Sequence, residues 1–240
     1  MIAISLLLAM NLAGAPTAEE LLDASIAYHD PQGRWETAPV EIVSKVLLTE
    51  RLAGERGYAE RTDTIVVDLS GERFEYRSEK LGDRIAMVEA GGQWRVELNG
   101  STEIDAEAVE KHGLAPARLP RWRDYFTYMF GLPMKLRDPG TQIEPEVKRI
   151  DFHGREVLAL RVTYSPEVGR DIWDFFFDPE SHALIGCRFF HDEAANDGEY
   201  LIFEEEIVGE QGLRLPKLRH WYMNRDGEHI ATDDILSLRD

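Results

Sequence analysis

Three things are scarce in this chain of 240 residues: cysteine, positive charge and long apolar runs. Cys187 is the one cysteine, which excludes an intramolecular disulfide framework. Its surroundings, LIGCRFF, read as a strand, and predict a buried, inert thiol rather than a nucleophile. Lysine and arginine total 27 against 45 aspartates and glutamates, a formal net charge of -18. No basic run interrupts that excess. A nucleic-acid binder needs a basic footprint to displace counterions from phosphates, so that class is excluded, and an anionic membrane surface repels the chain on average. The apolar run Ile2 to Ala9 is too short to span a bilayer. GxSxG, GxGxxG and phosphate-loop motifs are also missing, as are histidine pairs at HxH or HxxxH spacing.

The start of the chain has its own logic. MIAISLLLAMNLAGAP is a short apolar run ending in small residues, as an export signal does, although no Lys or Arg precedes the run. Ala13-Gly14-Ala15 fits a small-x-small cleavage site, which predicts a signal over residues 1–15 and a mature protein beginning at Pro16. A bacterial lipoprotein would carry cysteine where Ala15 stands. With alanine there, no lipid can be attached, so the expectation is an exported, periplasmic or extracellular protein without a stable membrane anchor.

Residues 16–240 read as one domain, mainly β with a few helices. Thr17-Ala18-Glu19-Glu20 is a capping box opening a helix, which Pro31 stops, and Asp30-Pro31-Gln32-Gly33 is a turn. After Trp35, which the reading places at the start of the first strand, the apolar period changes from 3.6 to 2. Strands are predicted over 40–48, 58–68, 72–79, 84–90 and 93–99, with a hairpin at Gly91-Gly92. A short helix follows at 105–112. Pro120 then opens a second, RWRDYFTYMF, whose Trp122, Tyr125, Phe126, Met129 and Phe130 form one aromatic stripe ended by Gly131 and Pro133. Seven further strands run from 146 to 235, joined by turn dipeptides such as His153-Gly154 and Asp226-Gly227. Loops this short join antiparallel neighbours. The predicted architecture is a strongly curved antiparallel sheet, an open half-barrel, with helices on its concave face.

Four segments carry a resemblance: YHDPQGRW, IWDFFFDPESHALIGCRFF, NDGEYLIFEEEI and LRLPKLRHWYMNRDGEHIATD. Together they resemble a family of exported bacterial proteins, often lipoproteins, with no assigned biochemistry. That family is similar in fold to the periplasmic carriers and receptors of outer-membrane lipoproteins. The resemblance implies an open half-barrel whose concave face is filled by helices, and by analogy of fold a carrier of an apolar molecule. Ala15 departs from the lipidated members of the family.

AYHDPQGRWET, residues 27–37, can be a chemical site or the junction between helix and sheet. His29 at a helix C-terminus can complement the dipole if protonated, and Asp30 has a role as first residue of the turn. The aromatic stripe is core packing, or lines a cavity for an apolar ligand. The expected ligand site is Tyr28, His29, Trp35, Trp94, Trp122, Phe126, Phe130, His220 and Trp221, with no metal or other cofactor. Its ligand would be a lipid or acyl chain, and another envelope protein is a second partner class. Two alternatives remain open. One is a hydrolase using His29/Asp30 with His191/His220, or a metal held by His29, His191, Asp192, His220 and His229. The other is an envelope-assembly module that reads a partner chain on the open sheet edge. Glu204-Glu205-Glu206 is expected to alternate between faces and is read most simply as the wet side of a strand.

Overall fold

The computed structural model describes residues 16–240; the expected export signal lies outside them. The capping box forms as the sequence predicts. Thr17 N–H donates to the Glu20 carboxylate at 2.9 Å, Glu20 N–H donates to Thr17 Oγ1 at 3.2 Å, and α1 runs Ala18–His29. Trp35 does not start a strand: it lies in a one-turn helix, α2 (Arg34–Thr37). Asp30 is the cause. Its two carboxylate oxygens accept the N–H groups of Arg34 (2.7 Å) and Trp35 (2.9 Å), the otherwise unpaired donors of a helix start.

The first meander is β1 (Val40–Leu48), β2 (Glu60–Asp68), β3 (Arg73–Lys80), β4 (Asp83–Ala90) and β5 (Gln93–Leu98). An unpredicted helix, α3 (Glu50–Arg56), interrupts it between β1 and β2. No residue of α3 is buried, so it has no apolar period to read; an Arg51–Glu55 pair one turn apart and an Arg51–Glu228 pair hold it. After β5 come α4 (Ala106–His112) and α5 (Leu119–Phe130). The second meander is β6 (Thr141–Ile143), β7 (Lys148–Phe152), β8 (Arg155–Tyr164), β9 (Ile172–Phe177), β10 (Leu184–Phe190), β11 (Glu199–Val208), β12 (Arg214–Met223) and β13 (His229–Arg239). The three residues of β6 were not anticipated, and β13 runs past the expected end at 235. The turns at Gly91-Gly92 and His153-Gly154 have positive φ at both central residues, the backbone that a two-residue hairpin demands.

All thirteen strands form one antiparallel sheet in the order β5-β4-β3-β2-β1-β13-β12-β11-β10-β9-β8-β6, with β7 also paired to β8. It is an open half-barrel, not a closed barrel. The first and last strands pair in the middle, Ile42 opposite Leu238 and Val46 opposite Asp233. Its two outer edges are therefore β5 at one end and β6 with β7 at the other, and the chain between them must cross a face of the sheet. That crossing is α4 and α5, which is why the aromatic helix lies on the sheet.

The inward residues make two cores. One holds Val40, Ile42, Ile65, Phe74, Tyr76 and Met87 of the first meander with Trp35, Phe126 and Phe130. The other holds Leu158, Leu160, Phe175, Phe177 and Leu201 of the second with Leu21, Leu22 and Met129. A smaller cluster forms where Phe152 stacks on Phe176 (centroids 4.0 Å apart). Gly186 lies beneath it, and a Cβ there would meet Leu201 O at 2.7 Å and the Phe152 ring at 2.9 Å.

Candidate functional site

The YHDP segment resolves into structural roles. His29 is 1% exposed. Its Nδ1 lies 2.8 Å from the Arg214 carbonyl and its Nε2 2.9 Å from the Leu184 N–H. A carbonyl only accepts and an N–H only donates, so the ring is the neutral Nδ1–H tautomer. Burial pulls its pKa below the usual histidine value, the Arg214 contact opposing. The protonated, dipole-complementing His29 allowed by the sequence is thus replaced by a neutral bridge tying α1 to the starts of β10 and β12. Tyr28 lies beside it, under the Arg214 guanidinium (5.3 Å to the ring centroid). Burial and the Glu206 carboxylate push its hydroxyl up to about 12. Glu204, Glu205 and Glu206 are all exposed, as the wet side of a strand, with Glu205 in the left-handed region at φ +53°.

The aromatic stripe packs as core. Phe126 stacks on Tyr76 (5.1 Å) and Phe74 (6.4 Å), and Trp122 lies tilted against Tyr76 (5.3 Å). Trp94 meets Phe74 edge-on at 6.2 Å, half-buried at the same end. Trp35 is fully buried and abuts the end of α5, where a Cβ on Gly131 would sit 2.6 Å from the indole. Between α5 and the sheet only about 20 Å³ is open, room for a single water. Its wall is polar. Trp221 Nε1 donates to Asp233 at 2.9 Å, Tyr76 donates to Asp63 at 2.9 Å, and Arg219 donates to the Met129 carbonyl at 3.0 Å. The Arg219 guanidinium lies 4.2 Å from the Phe130 centroid, and burial pulls its pKa down to about 10.

Of the histidines marked in the sequence, His220 and His229 come together, with ring centroids 6.1 Å apart, while His29 and His191 each have partners of their own elsewhere. His191 pairs with Asp171 (2.8 Å), which raises its pKa. His220 and His229 both reach Thr232 Oγ1, at 2.9 and 3.1 Å. His220 therefore points away from the inward Trp221, its neighbour on β12. Among the described residues, no three His, Cys, Asp or Glu side chains gather as metal ligands. Cys187 is buried, which pushes its thiol pKa up.

One groove of about 610 Å³ lies on the flank of α5 away from Phe126. Its aromatic residues are Tyr125 and Tyr128 from α5, Tyr164 from the end of β8, and Trp173 from β9; Leu69 and Val168 add aliphatic wall. Of seven large hydrophobics exposed among the described residues, Leu69, Tyr125 and Val168 all line it. Tyr128 meets Tyr164 at 75° and Trp173 at 64°, and the two tyrosine hydroxyls hydrogen-bond each other. The sequence marked Tyr125 only as part of the stripe and did not mark the other three. Their signal is long-range: helix and strand residues that meet only once the chain has crossed the sheet. The rest of the lining is largely charged, with Arg123, Asp124, Lys135, Asp138, Glu167 and Asp171, and a cavity of this size with aromatic walls and a charged border suits a small amphiphilic ligand.

The fold thus defines the class of protein: an open half-barrel with its interior filled by a crossing helix and a groove on that helix's outer flank. Residues 2–237 match the model of a family described as "Family of unknown function (DUF6503)", and the chain belongs to that family. Among solved structures, a domain described as an outer membrane lipoprotein-sorting protein from Vibrio parahaemolyticus aligns over 91% of both chains at 9% identity, with a TM-score of 0.49. MucB in complex with MucA(peri) aligns over 92% of this chain at 14% identity, with a TM-score of 0.28; this chain spans 54% of that one. No curated protein matches the sequence significantly. No helix among the described residues is long and apolar enough to cross a membrane.

Proposed function

We propose that this is an exported, periplasmic protein that binds an apolar ligand, a lipid or acyl chain, along the groove between α5 and β8/β9. The observation that carries the reading is the gathering of Leu69, Tyr125 and Val168, exposed at 37%, 47% and 57%, around one groove that already has an aromatic wall. Exposed apolar groups collected in one concave place are a binding surface, whereas scattered ones need no explanation. Burying about 200 Å² of hydrocarbon there contributes about 5 kcal/mol before the costs of association. Of the residues marked in the sequence, Trp122, Phe126 and Phe130 support this site from behind by fixing α5 on the sheet. Tyr28, His29, Trp35, Trp94, His220 and Trp221 take no direct part in it.

The test is to secrete the mature protein from Pro16 in a lipid-containing host, record its native mass spectrum, and extract the bound material with solvent. A stoichiometric lipid, lost in Val168→Asp, supports the reading. Protein that leaves the host empty and takes up no dodecyl chain in vitro overturns it.

A further inference from the structure

Seven aromatic rings among the described residues lie under one of the chain's own cations. Arg61 lies over Tyr58, Lys80 over Trp122, Arg188 over Phe176 and Phe190, Arg214 over Tyr28, and Arg219 over Phe130 and Phe203, at 4.2 to 6.0 Å from the centroids. Among the described residues, none of the four groove rings, Tyr125, Tyr128, Tyr164 and Trp173, carries one; Trp173 stacks instead on Phe175 and Phe189, at 5.6 and 4.7 Å, which leaves the three tyrosines as the groove rings with neither a cation nor a stacked partner. Two cations do line the groove, but both are engaged with acids. Arg123 pairs with Asp124 at 2.8 Å and lies 3.7 Å from Glu89, and Lys135 pairs with Asp138. That leaves Glu167 and Asp171 as the groove's negative excess, with Asp171 shared with His191. The Tyr128 and Tyr164 hydroxyls share one hydrogen bond, which leaves a single hydroxyl proton of the pair to meet an anion.

We infer that the groove selects a head group as well as a chain: it fits an amphiphile whose head is an alkylated ammonium, set against the Tyr125, Tyr128 and Tyr164 rings and the Glu167/Asp171 edge. The inference rests on the apolar-ligand reading and adds the charge of the ligand. A cation over two or more aromatic rings is held by their quadrupoles, most strongly where water is displaced, and adjacent carboxylates add Coulomb attraction. A net charge of -18 draws such a ligand in and repels an anionic one. The same chemistry is found in a lipid head group and in a free quaternary amine.

The experiment compares dodecyltrimethylammonium, dodecyl maltoside and dodecyl sulfate, each below its micelle concentration, by calorimetry on the mature protein. The trimethylammonium head should bind about tenfold tighter than the maltoside, about what one or two cation–π contacts supply. Glu167→Gln with Asp171→Asn should remove that advantage while leaving the maltoside affinity and the melting curve unchanged. Glu205→Gln with Glu210→Gln, two remote surface acids, should leave it intact. If tetramethylammonium alone competes, the site takes the free head; if only the chain-bearing ammonium competes, the source is a lipid. Equal binding of the three heads overturns the charge inference and leaves the apolar-ligand reading standing. Failure of every dodecyl chain to bind overturns both.

Discussion

The two halves of the sheet are built from the same kind of strand and finished differently. Over the first meander α5 presents Trp122, Phe126 and Phe130; Phe126 stacks on Phe74, Tyr76 and Phe130, Trp122 lies tilted against Tyr76, and together they close the face. Over the second, α1 supplies Leu21 and Leu22, and α5 turns Tyr125 and Tyr128 toward the remaining space. Stacked rings of matched size leave almost no void. Tyrosines at the margin of a leucine-rich core keep one end dry and one end wet, and a groove remains between them. One helix therefore closes one half and leaves the other open, because its opposite flanks carry rings of different polarity.

The closed half should be the more costly to disturb. Phe126→Ala, which removes the ring at the centre of the stack, should cost about 3–5 kcal/mol of unfolding free energy in a denaturant titration. A loss below about 1 kcal/mol would mean the stack contributes little packing. His29→Leu attacks the tie between α1 and the second meander, leaving the Leu184 N–H and the Arg214 carbonyl unpaired; the expected cost is about 2–3 kcal/mol. Gly131→Ala, at the seam where α5 meets Trp35, should cost about 1–3 kcal/mol through overpacking.

A smaller effect sharpens the His29 assignment. Its folded pKa is depressed by burial, so the unfolded chain binds the proton more readily. Stability from this group is complete above the unfolded value of about 6.5 and is lost as pH falls below it. The denaturation midpoint should decline with acid through that window in the native protein and stay flatter in His29→Leu; parallel curves would remove His29 as the cause. The least costly change is Val168→Ser in the groove. It should alter stability by no more than about 0.5 kcal/mol while weakening uptake of a dodecyl chain. A large stability loss there would make the groove part of the core.

Most of the architecture was legible because it rests on local patterns. Alternating apolar residues marked the strands, Gly-containing dipeptides marked the hairpins, and the Thr17/Glu20 box and Gly131 bounded two helices. The misses share a physical reason. α3 buries nothing, so it has no period, and β6 is too short to show one. α2 exists because Asp30 accepts two N–H groups, which overrode the strand-like reading of Trp35. The candidate site was less legible. Trp122, Phe126 and Phe130 were visible as a stripe, but a stripe does not say whether its rings meet a ligand or one another.

By itself, the sequence determined the alternation of strands, the short antiparallel connections, the family, the acidic surface and the aromatic character of the crossing helix, because each is written in neighbouring residues. Only the tertiary structure decided that β1 pairs with β13, so that the crossing helix must span both halves. It also decided that His29 is a neutral bridge, that His220 and His229 meet at Thr232 apart from His29 and His191, and that Leu69, Tyr125, Tyr128, Tyr164, Val168 and Trp173 face one groove. Those outcomes depend on residues up to 185 positions apart, such as His29 and Arg214, and no local period carries information over that distance.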